Sequence, residues 1–167
     1  IVLSYVWLMI FNSILQNYSK TIVSSQWSAF WGLVIVVCWQ QIGYMMIIYI
    51  AGIQNIPPEL IEAAKIDGAS SWQLIRYLTL PMLMPTITIC TFLTLTNGFK
   101  LFDQNLALTG GNPGKMSQLL ALNIYDTMYG TNGWQGVGQA KAVIFFILVA
   151  LIALIQNKIT TGKEVQD

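Results

Sequence analysis

Few side chains in this chain could do chemistry. There is no histidine, and the two cysteines, Cys38 and Cys90, both lie inside apolar runs. Cysteines in such runs are typical of small buried hydrophobic side chains and not of a disulfide or a metal site. No nucleophile motif and no pair of carboxylates within an apolar run accompanies them. The sequence therefore predicts no catalytic centre, no metal and no cofactor, and the protein is not expected to be an enzyme.

One stretch, "TGGNPGKMS", has a partial likeness to a phosphate-binding loop. That loop requires G-x-x-x-x-G-K followed by Ser or Thr. Here Thr109 occupies the first glycine position and Met116 follows the lysine. The pattern fails twice and predicts a Gly/Pro turn.

Five of the fifteen charged residues lie in one passage, "PPELIEAAKIDGASSWQLIRYLTLP", which separates two long apolar stretches. Pro57 and Pro58 suit the first turn of a helix, where a missing N–H is harmless. "ELIEAAKI" is strongly helix-forming, and Asp67-Gly68 is expected to end it, because glycine takes the left-handed cap without strain.

A second short helix is predicted after that glycine corner. Ser70 followed by Gln73 fits a capping box, and Pro81 is expected to keep Leu80 out of helical geometry at the start of the next apolar stretch. Two helices of this length are not stable alone. We therefore expect them to lie at a membrane surface and to dock on a partner.

The elements around this passage indicate a membrane protein. Only 9% of the 167 residues are charged, against about 25% in soluble domains, and the mean hydropathy is +0.61. A spanning helix needs about 20 apolar residues. Buried helices of a soluble protein would still show a polar stripe, and the apolar runs of this sequence show none. The predicted fold is all-α, a polytopic transmembrane helical bundle. Its expected spans cover about 1–12, 29–53, 81–99 and 138–157, with the charged loop over 57–80 and a polar segment from Lys100 to about Gly136.

Two groups of polar residues interrupt consecutive apolar runs. They are Gln40, Gln41 and Tyr44 on the first run, and Thr94, Asn97 and Gly98 on the second. Polar groups within spans are costly and usually face a cavity or another helix. We expect the two groups to face each other across an internal cavity that serves a substrate path. Plain hydrogen bonding between helices is an equal alternative.

The distribution of Lys and Arg does not orient the chain. Lys65, Arg76, Lys158 and Lys163 fall on one predicted side, against Lys20, Lys100, Lys115 and Lys141 on the other. The positive-inside rule therefore gives no orientation.

The charged passage resembles a known motif. Glu62-Ala63-Ala64, three residues, Gly68, nine residues and Leu78-x-Leu80-Pro81 is similar to the cytoplasmic "EAA" loop of ABC-transporter permeases of the binding-protein-dependent import class. Leu78 stands where the family usually has Ile. "IAGIQNIPPELIEAAKIDGASSWQLIRYLTLPML", "LFDQNLALTGGNP" and "GQAKAVIFFILVALIAL" resemble the sugar-uptake branch, including permeases for malto-oligosaccharides and glycerol phosphate.

This resemblance implies a location and partners. It places the loop and the C-terminus in the cytoplasm of an inner-membrane protein. It implies an ATP-binding subunit, a second permease subunit, an extracytoplasmic substrate-binding protein and the lipid bilayer as partners, and no nucleic acid. The residues expected to dock on the ATP-binding subunit are Glu62, Ala63, Ala64, Asp67, Gly68 and Pro81.

Two further expectations concern the extent and class of the protein. Because the chain begins with Ile inside an apolar run, we interpret it as the C-terminal portion of a longer permease. The alternative function class is a polytopic membrane enzyme or a self-contained channel. A channel would not need a charged docking loop, and retention of an ATP-binding subunit would distinguish the classes.

Overall fold

The computed structural model describes residues 2–16 and 20–162, and this part of the chain contains helices and turns but no strand. The predicted all-α class is confirmed. The helices are α1 (Val2–Gln16), α2 (Gln26–Gln54), α3 (Pro58–Ile66), α4 (Ser71–Leu74), α5 (Leu80–Met82), α6 (Met84–Phe99), α7 (Asp103–Leu108), α8 (Leu120–Tyr129) and α9 (Gln135–Thr161). A 3-10 turn covers Ile22–Ser24 and a π turn covers Ile75–Thr79.

Two of these helices are long and apolar enough to cross a membrane. They are α2, with 29 residues, and α9, with 27. A third candidate is the pair Ser71–Met82 and Met84–Phe99, which is bent by 65°. Helix α1 is apolar but has only 15 residues. The transmembrane character predicted from composition is thus supported by helix length.

Helices α1 and α9 extend beyond the spans predicted from the sequence, and tertiary contacts explain both extensions. Helix α1 continues past residue 12 to Gln16, because Leu15 packs on the core and Asn12 accepts a 3.2 Å hydrogen bond from the Ile22 N–H. Helix α9 begins before residue 138, at Gln135, and Lys141 lies inside it with its ammonium group bound by side chains of α8.

The prediction that Leu80 lies outside helical geometry was wrong, because Leu80 is helical (φ −65°, ψ −44°) despite the proline that follows it. The chain takes a π turn over Ile75–Thr79, immediately before Pro81. A wider turn relieves the clash that a proline ring causes in a regular α-helix and does not need its missing N–H. The helix breaks instead at Leu83 (φ −84°, ψ −4°).

The contacts divide the chain into two compact units. The first comprises Ile1–Gln41 and Asn97–Val149, and the second comprises Ile42–Thr96 and Ala150–Asp167. The core of the first unit is formed by Ile22, Leu33, Val36 and Leu108, on which Trp7, Leu8, Phe11, Leu15 and Val23 pack. Burial of Leu108 in this core fixes α7 against α1 and the first half of α2.

The segment predicted as a polar stretch from Lys100 to Gly136 is folded around a buried asparagine. The Asn105 side chain is fully buried, and its Nδ2 donates to Thr109 Oγ1 (2.9 Å) and to the Ser117 carbonyl (2.8 Å). Its Oδ1 accepts from the Leu119 N–H at 2.9 Å. These bonds close the predicted Gly/Pro turn, in which Gly110, Gly111, Gly114 and Lys115 have positive φ.

A second polar network joins α8 to α9. Lys141 Nζ donates to Asn123 Oδ1 and to Thr127 Oγ1, each at 2.8 Å. Asn123 Nδ2 donates to Gln118 Oε1 at 2.9 Å, and Gln118 Nε2 donates to Asp126. The carboxylate of Asp126 thus belongs to a half-buried network and not to a freely solvated loop.

Candidate functional site

The charged loop over 57–80 has the predicted two-helix corner. Helix α3 ends at Ile66, and the N–H of its cap residue Asp67 donates to the Ala63 carbonyl at 2.9 Å. Gly68 follows with φ +83°, in the region that glycine alone adopts freely. The Ser70 N–H donates to Gln73 Oε1 at 2.8 Å and the Gln73 N–H donates to Ser70 Oγ at 3.4 Å, which confirms the capping box that begins α4.

This corner presents an uncovered surface. No residue of α3 or α4 is buried, and the acids at the corner stand beside large exposed apolar side chains. Ile66 is 86% exposed and Trp72 is 68% exposed. A mixed charged and apolar patch of this kind is typical of a surface that another protein covers.

The predicted docking residues occupy this surface in two different ways. Glu62, Ala63, Asp67 and Gly68 are exposed, whereas Ala64 and Pro81 are half-buried. An open pocket of about 430 Å³ lies at the corner, lined by Ala64, Asp67, Gly68, Ala69, Gln73, Leu74, Tyr77 and Leu78. The corner thus offers both projecting side chains and a recess to a partner.

A polar pocket of about 350 Å³ lies in the first unit. Its lining residues are Val37, Gln40, Gln41, Asn97, Lys100, Leu101, Phe102, Asp103 and Gln104. Gln104 Nε2 donates to Gln40 Oε1 at 3.2 Å, which ties α7 to α2 at the pocket wall. Three of the six residues predicted for a substrate path, Gln40, Gln41 and Asn97, are brought together here.

The pocket lies far along α2. Gln40 is fourteen residues beyond Gln26, a rise of about 21 Å at 1.5 Å per residue. The non-helical residues Lys100–Phe102 therefore run beside the middle of an apolar helix. Such backbone is tolerated at membrane depth only where it is buried in protein or lines a water-filled cavity. This polar pocket is consistent with the second case.

The other three predicted path residues are placed differently. Thr94 lines an open pocket of about 280 Å³ in the second unit, together with Met45, Tyr49, Cys90, Thr91 and Leu95. The side chain of Tyr44 is exposed. Gly98 is also exposed, and a Cβ added there would meet no atom within 4 Å.

Sequence reasoning missed six of the nine residues that line the polar pocket, and four of these six have polar or aromatic side chains. Lys100, Phe102, Asp103 and Gln104 follow directly after an apolar run and looked like the start of a solvated segment. The sequence feature that could have indicated them was Leu108, an apolar residue that anchors α7 in the core and folds the preceding residues back along α2.

A family model described as "Binding-protein-dependent transport system inner membrane component" matches residues 1–161. The chain belongs to this family. The resemblance drawn from the EAA pattern is thereby confirmed at the level of the permease family, and the match extends well beyond the loop itself.

Several relatives of this permease-family chain carry names that refer to sugars. It is 47% identical over 99% of its length to the probable starch degradation products transport system permease protein AmyD of Thermoanaerobacterium thermosulfurigenes, covering 59% of that protein. It is 36% identical over 79% of its length to the multiple sugar-binding transport system permease protein MsmF of Streptococcus mutans, covering 45%. It is 36% identical over 79% of its length to the trehalose/maltose transport system permease protein MalF of Thermococcus litoralis, covering 44% of that protein. The chain spans about half the length of these curated relatives.

Both cysteines of this permease-family chain are free. Cys90 is buried, as predicted, but Cys38 is exposed on α2, so the prediction of burial was wrong there. Among residues 2–16 and 20–162, no group of three His, Cys, Asp or Glu side chains could hold a metal ion.

Proposed function

We propose that this chain forms part of the permease of an ATP-driven sugar importer, and that residues 57–80 receive the motion of a separate ATP-binding subunit. The observation that carries the proposal is the exposed corner at Gly68, which bears the EAA pattern and leaves charged and apolar side chains uncovered. The sugar-related names of the relatives support the substrate class.

The corner is suited to transmit a rigid-body motion. Helix α3 follows α2 after three residues, and α4 runs through the π turn into α5, just before the bend that leads to α6. A short helix anchored at both ends by long helices passes on a tilt when its partner moves. Glu62, exposed near the centre of α3, would form an ion pair with a basic residue of the ATP-binding subunit.

The family also supports an arrangement in the membrane. We propose that the loop over 57–80 and the C-terminus face the cytoplasm of the cell that carries this inner-membrane protein. A second permease subunit and lipid would cover the exposed apolar side chains of α2 and α9, and an extracytoplasmic binding protein would deliver the sugar.

The polar pocket is the proposed segment of the sugar path. Its volume falls at the lower end of the range for small-molecule sites, about 300–1,000 Å³. Gln40, Gln41 and Asn97 supply amide donors and acceptors, and Lys100 and Asp103 add a cation and an anion, so the pocket offers both donors and acceptors to sugar hydroxyls. Tyr44, Thr94 and Gly98 stay predicted path residues that lie outside this pocket.

A charge substitution tests the coupling role. Glu62→Gln in the complete permease is expected to weaken retention of the ATP-binding subunit about tenfold, because a neutral hydrogen bond of roughly 0.5–1.5 kcal/mol would replace a charge-assisted one of roughly 1.5–3 kcal/mol. Retention is measured by co-purification from detergent across a salt series. Glu59→Gln, at another exposed acid one turn earlier in α3, is the matched control and should bind normally. Equal retention by both variants would refute the assigned role of Glu62.

Cysteine labelling tests the path. In a background with Cys38→Ala and Cys90→Ala, single cysteines at Gln40, Gln41 and Asn97 are expected to react with a water-soluble thiol reagent, and sugar should slow the reaction. Cysteines at Tyr44, Thr94 and Gly98 test the three predicted path residues outside the pocket. If the pocket positions do not react and each variant transports normally, the polar groups serve helix packing, and another chain holds the sugar.

A further inference from the structure

Three aromatic rings form a continuous row that starts in the polar pocket. The ring of Phe102 lines the pocket, and its centroid lies 5.1 Å from that of Tyr125 on α8. Tyr125 in turn lies 5.1 Å from Tyr129, one helical turn further along. The ring planes are inclined by 57° and 46°, so that neither tyrosine is stacked flat against its neighbour.

The exposure of these rings increases away from the pocket. Phe102 is half-buried, Tyr125 is 44% exposed and Tyr129 is 70% exposed. Within the described part of the chain, neither tyrosine hydroxyl has a hydrogen-bond partner. The row thus leads from the polar pocket to the surface, with aromatic faces and free hydroxyls along it.

We propose that Phe102, Tyr125 and Tyr129, here called the aromatic track, bind successive rings of an oligosaccharide whose leading unit enters the polar pocket. This inference rests on the proposed function and specifies it further. It assigns the transporter to chains of several sugar units and makes these three residues a subsite for the units that trail behind.

The chemistry of a sugar ring matches such a track. A pyranose carries weakly positive C–H groups on its faces, which are attracted to the negative face of an aromatic ring, and hydroxyl groups at its edge. The tyrosine hydroxyls can donate to and accept from those edges. The 5.1 Å spacing is close to the length of one pyranose ring, so consecutive units would meet consecutive side chains.

The track is also held in place. Lys141 binds Asn123 and Thr127 on α8, the helix that carries both tyrosines. A site whose supporting side chains are fixed holds its ligand with less loss of conformational freedom than a site on a mobile loop. Binding through several weak stacking contacts would let a chain advance one unit at a time.

Uptake of sugars of different length tests the track. The complete transporter carrying Tyr125→Ala and Tyr129→Ala is compared with the parent for maltose and maltotetraose. The KM for the tetrasaccharide is expected to rise about threefold to tenfold, whereas that for the disaccharide should change by less than about twofold, because only the longer chain reaches the substituted rings. Tyr125→Phe retains the ring and should preserve most of the preference for the longer sugar.

The control is Trp134→Ala, which removes an exposed aromatic side chain outside the track. Aromatic residues also anchor proteins at membrane interfaces. One outcome is that the double tyrosine variant and the Trp134→Ala variant each lower the amount of protein and the uptake of both sugars to the same extent. In that case the rings act as membrane anchors and the aromatic track is rejected. A parent that moves disaccharides but gains no affinity from longer chains also rejects the track while leaving the proposed function intact. A parent that moves no sugar rejects both.

Discussion

Gly68→Val is expected to lower ATP-driven uptake about 5–30-fold while the protein still reaches the membrane. The backbone of Gly68 has φ +83°, and left-handed geometry costs a residue with a side chain roughly 1–2 kcal/mol, which corresponds to that factor. A Cβ at this position would meet no atom within 4 Å. The cost is therefore one of backbone conformation alone, and the corner relieves it by opening and moving α3 relative to α4.

Two other substitutions at the same position separate conformation from bulk. Gly68→Asn adds a side chain that tolerates left-handed geometry and should retain most of the uptake, and Gly68→Ala should fall between the two. Uptake and ATP hydrolysis are measured together in proteoliposomes, where uncoupling appears as hydrolysis without uptake. If valine supports transport at the parent rate, the glycine corner is not needed for coupling.

The geometry around Gly68 could be predicted from sequence because it depends on local interactions. The proline pair, the Asp67-Gly68 ending and the Ser70/Gln73 capping box each act within one turn of the chain. The same local reasoning failed at Leu80, where the rule for residues before proline was overridden. A π turn is a cooperative adjustment of several residues, and no single side chain in the sequence predicts it.

Only three of the nine residues that line the polar pocket were predicted from the sequence, for a different reason. Gln40, Gln41 and Asn97 were conspicuous because polar groups are costly inside apolar helices. Lys100 and Asp103 gave no such signal, because charged residues after a span normally enter solvent. They line the pocket since Leu108, Asn105 and the bonds around the Gly/Pro turn draw α7 back along α2, and those contacts join residues far apart in sequence.

Gly138→Ala is expected to detach α8 from α9 and to lower the free energy of unfolding by about 1–3 kcal/mol, the usual cost of forcing extra volume into a packed contact. An added Cβ would lie 2.8 Å from Met128 Cβ and 2.9 Å from Met128 Cα. The main chain of Met128 cannot rotate away as a side-chain tip would. Separation of the helices would also stretch the bonds from Lys141 to Asn123 and Thr127.

Gly136→Ala is the matched control, since it lies on the same helix two residues earlier and a Cβ there meets no atom within 4 Å. It should be neutral or stabilise α9 by up to about 1 kcal/mol, the gain of alanine over glycine in a helix. Thermal unfolding in detergent gives the stability, and hydrogen exchange over residues 120–129 reports whether α8 has loosened. If both alanines behave alike, the close approach at Met128 does not hold these helices together.

If only Gly138→Ala loosens α8, affinity for the longer sugar should decrease with it, because the tyrosines of the aromatic track are fixed only as firmly as the helix that carries them.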